Sequence, residues 1–268
     1  MPVAFLMAAL AWGTLATDLG CNGATPDSSY PCYSALSIAN SAAGVANFYA
    51  PNTFISIYGQ SLAVNTVSIS AEDLSGGTLP IVLIGANVVV LINNIPAYMW
   101  YVSPTLVNVL IPANLIAGPA TVQLEVDGKY GPPAAINLSA TAPALFQTDA
   151  TTILATHADN SLVTASSPAE PGELIVLWAT GLGPTIPPVI PNQVPEAAAP
   201  LAAMSQFQVL VDGAAVDPSL IYYAGATPTC AGLYQINVRL PEDAAANPEI
   251  RIAASGTMSP PGRFLAVQ

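Results

Sequence analysis

The sequence has little charge and almost no positive charge. Of its 268 residues 7% are charged, and four lysines and arginines stand against 16 acidic residues, for a net charge of −12. Soluble domains usually carry about 25% charged residues. Binding to nucleic acid or to anionic lipid needs clustered Lys and Arg, so we expect neither partner. With 53% apolar residues, the surface is either covered by uncharged polar groups or partly buried against other subunits.

Histidine and cysteine are also scarce. His157 is the one histidine, and the three cysteines form no Cys-x-x-Cys pair. The acidic residues form no Asp-x-Asp-x-Asp-Gly loop of the kind that holds calcium. We therefore predict no metal site and no cofactor. Cys21 and Cys32 flank a short stretch rich in Gly, Pro and Ser, and a disulfide between them would suit an exported protein. Cys230 is left over and is interpreted as a small buried or loop residue.

Long apolar runs are missing as well, so no transmembrane span is predicted. The start of the chain is apolar, and 14–16, Thr-Leu-Ala, is typical of a signal-peptide cleavage site. Residues 1–16 contain no lysine or arginine, so the basic stretch with which signal peptides usually begin is missing. We interpret 1–16 as a signal peptide or apolar N-terminal segment and 17–35 as a cysteine-containing extension. These features predict a secreted or cell-surface protein.

Strand patterns dominate the rest of the chain. Apolar and polar residues alternate in 121–126 and 234–240, which is the period of a half-buried strand. The Asp-Gly pair at 127–128 and the Ser-Gly pair at 255–256 are typical of hairpin turns. The 26 prolines argue against long helices, and 34–46 is the longest stretch for which we predict a helix.

One long pattern of residue types occurs twice. Residues 50–63 return as 170–183, each with a proline, a short turn, an apolar run ending in an aromatic residue, a small-residue corner and a leucine. In the same way, Asn108–Pro112 returns as Asn237–Pro241. A repeat of more than 100 residues means two copies of one folding unit rather than a solenoid of short units.

The predicted fold is therefore all-β, with two tandem immunoglobulin-like β-sandwich units. The first unit is assigned to 36–148, and 149–268 holds a connecting hairpin and the second unit. Residues 184–200 contain six prolines, and we interpret them as a stiff, extended connection between two strands, although they could also dock a partner.

Two candidates for catalysis are weak. The segment Gly59–Ala63 resembles a nucleophile elbow around Ser61, but that motif needs a second glycine two residues after the serine and a following helix. The repeat places Thr180–Gly183 at the matching position, so both segments are interpreted as structural corners. His157 stands at a hairpin tip, and nothing in the sequence places a nucleophile or substrate proton beside it. We predict that the chain is not an enzyme.

A cluster of aromatic residues gives a better candidate for binding. Tyrosine and tryptophan rings bind sugars or partner chains by apolar contact with a polar edge. If two consecutive aromatic residues lie in one strand, alternation directs them to opposite faces, so packing in the core or between domains is the competing interpretation. The candidate ligand or partner contacts are Tyr98, Trp100 and Tyr101 in the first repeat and Tyr222 and Tyr223 in the second.

Several motifs occur in an order that resembles one family. The segments are Ile38–Ala42 with Ala50–Ala63, Tyr101–Asn108, Pro171–Pro184 and Gly232–Pro241. Together they resemble the uncharacterised C-terminal domain of Solibacter-type acidobacterial secreted proteins, over roughly residues 36–268. The resemblance implies an exported, β-rich module with repeats similar to IPT/TIG immunoglobulin-like domains. It implies no activity and supplies no catalytic residues.

These observations predict a non-enzymatic exported protein with a structural or adhesive role at the cell surface or in an extracellular assembly. Self-association as a homo-oligomer, or pairing with another surface protein, would use exposed strand edges, whose unpaired N–H and C=O groups can template a further strand. One alternative is a carbohydrate-binding module that takes a polysaccharide on its exposed Tyr and Trp side chains. The other is a hydrolase on a β scaffold, for which Ser61 and His157 are the only candidates.

Overall fold

The computed structural model describes residues 29–268. The chain divides into two compact units. The described part of the first consists of 29–140 and the short segment Ile190–Val194, and the second consists of Thr141–Val189 and Pro195–Gln268. The predicted signal peptide at 1–16 and most of the predicted extension at 17–35, including Cys21, lie outside the described residues. No helix in the described part of the chain is long and apolar enough to cross a membrane.

The first unit consists of ten strands in two antiparallel sheets. One sheet has the order β1-β2-β7-β6-β3, and the other has the order β10-β8-β4-β5, with β9 paired to β8. The strands are β1 Ile38–Asn40, β2 Phe54–Tyr58, β3 Val67–Ser68, β4 Val88–Ile92, β5 Ile95–Pro96, β6 Tyr98–Val102, β7 Leu106–Leu110, β8 Gly118–Val126, β9 Lys129–Tyr130 and β10 Ala134–Leu138. Single 3-10 turns occur at Ala35–Ser37 and Ser75–Gly77.

The second unit repeats this plan. Its larger sheet has the order β11-β13-β18-β17-β14, with β12 also paired to β13, and its smaller sheet has the order β16-β15-β19-β20. The strands are β11 Ala144–Leu145, β12 Ala155–His157, β13 Leu174–Thr180, β14 Ala199–Pro200, β15 Phe207–Val211, β16 Ala214–Ala215, β17 Ile221–Ala226, β18 Tyr234–Arg239, β19 Ile250–Ala254 and β20 Thr257–Met258. Single 3-10 turns occur at Met204–Gln206 and Pro218–Leu220.

The predicted fold class is confirmed: the chain is all-β, with two tandem immunoglobulin-like β-sandwich units. The central strands β2, β7 and β6 correspond to β13, β18 and β17 in both order and pairing. Each unit has its own apolar core. That of the first contains Ile55 and Leu124, and that of the second contains Leu177 and Ile252, so residues from both sheets of a unit meet in its core.

The predicted hairpin turns are present. The Asp-Gly pair at 127–128 joins β8 to β9, and the Ser-Gly pair at 255–256 joins β19 to β20. Gly128 and Gly256 have φ of 78° and 82°, the left-handed region that such tight turns require.

The predicted helix at 34–46 is wrong. After one 3-10 turn the chain forms β1, which pairs with β2. The side chain of Asn40 then accepts hydrogen bonds from the backbone N–H groups of Ala42 and Ala43. An asparagine that satisfies nearby backbone donors in this way favours a turn over a helix.

The segment Gly59–Ala63 forms a tight corner. Backbone hydrogen bonds join Cys32 and Gln60 in both directions, and the Leu62 N–H donates to the carbonyl of Pro104. A Cβ added to Gly59 would lie 2.2 Å from the carbonyl oxygen of Cys32. The backbone therefore passes too close at this position for any residue except glycine, which explains the glycine without a catalytic role.

Candidate functional site

The two units share an irregularity at the same place. In β6 the pairing with β7 shifts between Met99 and Tyr101, so that Trp100 is an extra residue; in β17 the pairing with β18 shifts between Ile221 and Tyr223. The extra residue there is Tyr222. A β-bulge of this kind changes the direction of the side chains around it. In both units the extra residue is aromatic.

The bulge changes which face the aromatic residues occupy. Tyr101 lies opposite Asn108, whereas the flanking pair Val102 and Val107 faces the core. The Trp100 ring contacts the ring of Phe54 edge-on, with 5.0 Å between ring centroids, and neither belongs to the core cluster. The bulge interrupts the strict alternation that would place Trp100 and Tyr101 on opposite faces.

The five candidate aromatic residues differ in exposure. Tyr98 and Trp100 are buried, with 7% and 5% of their surface exposed, whereas Tyr222 is 56% exposed. Tyr101 and Tyr223 are half-buried. Burial raises the pKa of Tyr98, and it also raises the pKa of Tyr223. Of these five rings, that of Tyr222 offers the most surface to a ligand.

Tyr222 is held in place by an arginine on the neighbouring strand. Arg239 Nε donates a hydrogen bond of 3.3 Å to the Tyr222 hydroxyl, and Arg239 Nη1 donates one of 2.7 Å to the carbonyl of Gly172. These contacts use two of the five N–H donors of the guanidinium.

A row of polar side chains continues from Arg239 along β18. Tyr234, Ile236 and Val238 face the core of the second unit, so Gln235, Asn237 and Arg239 face outward. All three outward residues are half-buried. Gln235 Nε2 donates a hydrogen bond of 2.7 Å to Asn237 Oδ1, which fixes both amides.

On the neighbouring strand β17, Tyr223 pairs with Asn237 and Gly225 pairs with Gln235. The Tyr223 hydroxyl donates to the carbonyl of Ala226. A Cβ on Gly225 would lie 2.2 Å from the carbonyl oxygen of Ala199. We call Tyr222, Tyr223, Gln235, Asn237 and Arg239 the β17–β18 face. It combines an exposed ring, a cation and fixed amides, the groups that recognise an uncharged polar ligand with apolar faces.

A second polar cluster lies around His157. Its Nδ1 is 2.5 Å from Glu173 Oε1, and its Nε2 is 3.2 Å from the carbonyl oxygen and 3.4 Å from the hydroxyl of Ser167. The other carboxylate oxygen of Glu173 accepts from the N–H of Glu170. Serine, histidine and carboxylate are connected in the same order as in hydrolytic triads.

The cluster is nevertheless a poor hydrolytic site. His157 Nε2 also faces the Ser167 carbonyl, which favours a proton on that nitrogen, whereas a general base needs a free lone pair there. The N–H of Ser167 donates to the backbone oxygen and the hydroxyl of Thr164, so it is not directed at a developing oxyanion.

The two cysteines among residues 29–268 are in different states. Cys32 is disulfide-bonded. Cys230 is free and 4% exposed, and burial raises its pKa to about 12. A thiol with so high a pKa is inert at neutral pH. Among the described residues, no group of three or more His, Cys, Asp and Glu side chains could hold a metal ion.

Sequence reasoning missed several members of these clusters. Three of them are the polar residues of a strand whose alternation is visible in the sequence: Gln235, Asn237 and Arg239. That alternation could have identified them. Ser167 and Glu173 lie 10 and 16 residues from His157. They become its neighbours through turns that no periodic pattern reveals.

Comparison with known proteins leaves the family open. No protein-family model matches the chain. No curated protein matches it either.

Among solved structures, the chain is similar to a surface glycan-binding protein, SGBP-B, from Bacteroides ovatus in complex with a mixed-linkage heptasaccharide (10% identity, TM-score 0.33, 83% of this chain and 43% of that chain). It is also similar to a surface glycan-binding protein from Prevotella bryantii (12% identity, TM-score 0.25, 81% and 38%). A third similar structure is that of the tandem Ig repeats of Dlar (13% identity, TM-score 0.22, 82% and 91%). The chain spans less than half the length of the two glycan-binding proteins, and similarity at these TM-scores is no guide to function.

Proposed function

We propose that this chain is a non-enzymatic, exported, adhesive surface protein that binds a neutral polysaccharide on the β17–β18 face. The observation that supports this most is the exposed ring of Tyr222, set on a bulge and hydrogen-bonded to Arg239. A pyranose ring has an apolar C–H face and a rim of hydroxyl groups. An exposed tyrosine beside fixed amide and guanidinium donors complements both parts.

The charge of the molecule points to an uncharged glycan. The chain has a net charge of −12, and such a field repels acidic polysaccharides. Glu242 also acts electrostatically on Arg239. The lone cation of this face is therefore better suited to donating hydrogen bonds to hydroxyl groups than to neutralising a polyanion.

Export is the other part of the proposal. It is supported by the apolar start of the sequence, by the disulfide at Cys32 and by the resemblance to the acidobacterial secreted modules. We also propose that the chain belongs to that family. Disulfides persist in oxidising compartments. A polysaccharide ligand would be met in such an environment.

The binding test is retention in native gels that contain a soluble polysaccharide. We expect the protein to be retarded by at least one neutral glucan, mannan or xylan. Tyr222→Ala should weaken that binding roughly tenfold, since a central aromatic contact commonly contributes more than about 1.4 kcal/mol. Tyr222→Phe should keep much of the affinity, because the ring remains.

The matched control is Tyr130→Ala, which removes a tyrosine of similar exposure, 51%, from the first unit. We expect that variant to bind as the wild type does. If the wild-type protein is retained by no neutral polysaccharide, or if Tyr222→Ala and Tyr130→Ala are equally affected, the proposal fails.

Self-association is a second candidate role, suggested by the loops of the first unit. Val64 and Ile84 are 73% and 62% exposed, and a hydrogen bond of 3.4 Å from Asn65 Nδ2 to the Gly85 carbonyl brings their loops together. Large exposed apolar side chains in one place favour contact with another protein surface. We expect concentration-dependent sedimentation that Ile84→Lys suppresses. A stable monomer at every concentration would exclude this role.

A further inference from the structure

His157 lies between three segments of the second unit. Its backbone belongs to β12, which pairs with β13 through His157 and Ile175. Its ring contacts the turn 164–167 through Ser167 and the turn 170–173 through Glu173. One side chain thus connects the short strand β12 to two successive turns.

The contacts of the ring depend on its protonation. Nδ1 faces a carboxylate oxygen, and Nε2 faces a carbonyl oxygen at 3.2 Å, which is a hydrogen-bonding distance. Both oxygens can only accept. The ring can donate to both at once only as the imidazolium ion, because neutral imidazole carries one N–H.

The neutral ring has a different partner within reach. When Nε2 loses its proton, its lone pair opposes the Ser167 carbonyl. The Ser167 hydroxyl, 3.4 Å from Nε2, can then donate to it. Deprotonation therefore exchanges the carbonyl for the hydroxyl as the contact of Nε2, while Nδ1 keeps its proton for Glu173.

We propose that His157 is a proton-operated clasp, which ties β12 to the turns 164–167 and 170–173 when charged and loosens its hold on 164–167 when neutral. The proposal does not depend on glycan binding. It concerns the stability of the sheet at β12, whose residues Ala155–His157 pair with β13.

The charges around the ring favour the clasped state. Glu173, on the turn that leads into β13, is its direct partner, and Asp159 acts on it from its own hairpin. Glu170 belongs to the same turn as Glu173, and its carboxylate accepts a hydrogen bond from Gln268. The hydrogen bond to Glu173 is the main cause that raises the pKa of His157, with smaller contributions from the Ser167 carbonyl and Asp159.

The raised pKa fixes the direction of the pH dependence. The contribution of the clasp to the free energy of unfolding is complete below the pKa of a histidine in an unfolded chain, about 6.5. Its contribution is lost as the pH rises through the higher pKa of the folded protein. Alkaline pH therefore loosens the clasp, and mildly acidic pH tightens it.

The test uses the fact that His157 is the only histidine of the sequence. A single imidazole C–H resonance in the NMR spectrum of the intact protein reports its titration. We expect a midpoint above 6.5 in the wild type and a downward shift in Glu173→Gln. Glu72→Gln, which removes a carboxylate from the first unit, is the matched control and should leave the midpoint unchanged.

Ser167→Ala separates the two oxygens of that serine. It keeps the carbonyl and removes the hydroxyl, so it should raise the midpoint slightly by destabilising the neutral state. Amide exchange supplies a second readout: after correction for intrinsic rates, the N–H of Ser167 should exchange faster above the midpoint than below it. A midpoint at or below 6.5, a midpoint that Glu173→Gln does not move, or a downward shift in Ser167→Ala would each overturn the proposal.

Discussion

Tyr33 shows how one side chain stabilises the first unit. Its ring is 1% exposed, and its hydroxyl accepts a hydrogen bond of 2.7 Å from the backbone N–H of Leu124, 91 residues away. Burial raises the pKa of Tyr33 to about 12, so the hydroxyl stays neutral at physiological pH. The residue joins the segment after Cys32 to β8, a central strand of the sheet β10-β8-β4-β5.

Removing that hydroxyl should be costly. Tyr33→Phe leaves the buried N–H of Leu124 without this acceptor, and an unsatisfied buried donor costs about 1–3 kcal/mol. We expect the free energy of unfolding in urea to fall by that amount. Tyr130→Phe, at a half-exposed ring, is the control and should change it by less than about 0.5 kcal/mol. Equal effects of the two substitutions would show that the buried contact is unimportant.

At the scale of single residues, composition and spacing predicted function only in part. The interpretation of Cys230 as a small buried or loop residue agrees with its 4% exposure. The aromatic residues were identified by type, but their exposure could not be predicted, because it depends on the bulges in β6 and β17. A bulge is a shift of register between two strands, and one strand's sequence does not contain its partner's register.

Among the structural elements, the repeat was the most informative part of the sequence. Residues 54–58 and 174–180 form equivalent strands because the same turn and apolar run precede the same corner. Alternation likewise predicted β8 and β18. The shortest strands could not all be predicted: β16 has two residues, and its existence depends on pairing with β15 rather than on local preference.

The turn 149–152, between β11 and β12, gives a prediction at this scale. Asp149 Oδ1 accepts hydrogen bonds from the N–H groups of Thr151 and Thr152. These bonds, chiefly that from Thr151, lower the pKa of Asp149 to about 2. A lowered pKa means that the turn is stabilised above the unfolded pKa of about 3.9 and loses this contribution as the pH falls to about 2.

Asp149→Asn removes the charge but keeps an oxygen acceptor. We expect the variant to be less stable than the wild type at pH 5 and to approach it in stability at pH 2, as measured by urea unfolding at each pH. Asp243→Asn, at an exposed aspartate of the same unit, reports the general effect of losing one negative charge. A difference between Asp149→Asn and the wild type that is the same at both pH values would contradict the proposed role of the carboxylate.

For the molecule as a whole, two units of one plan present different outer faces. At the duplicated bulge the first unit has Trp100, packed on Phe54 and buried, and the second has Tyr222, exposed beside Arg239. The sequence matches Asn108 with Asn237 in the repeat, but two residues further along the same strand one copy has Leu110 and the other has Arg239. The repeat thus predicts the scaffold, and the proposed binding surface lies where the second copy departs from the first.

The central claim is that the β17–β18 face binds a glycan. NMR mapping with a neutral oligosaccharide tests this claim most directly. In a spectrum that resolves the Nε–H groups of the three arginines and the side-chain amides, we predict that titration shifts the resonances of Arg239, Gln235 and Asn237 together. Those of Arg251 and Arg263 should stay in place. Shifts confined to the first unit, or no shifts with any neutral glucan, mannan or xylan fragment, would contradict the account.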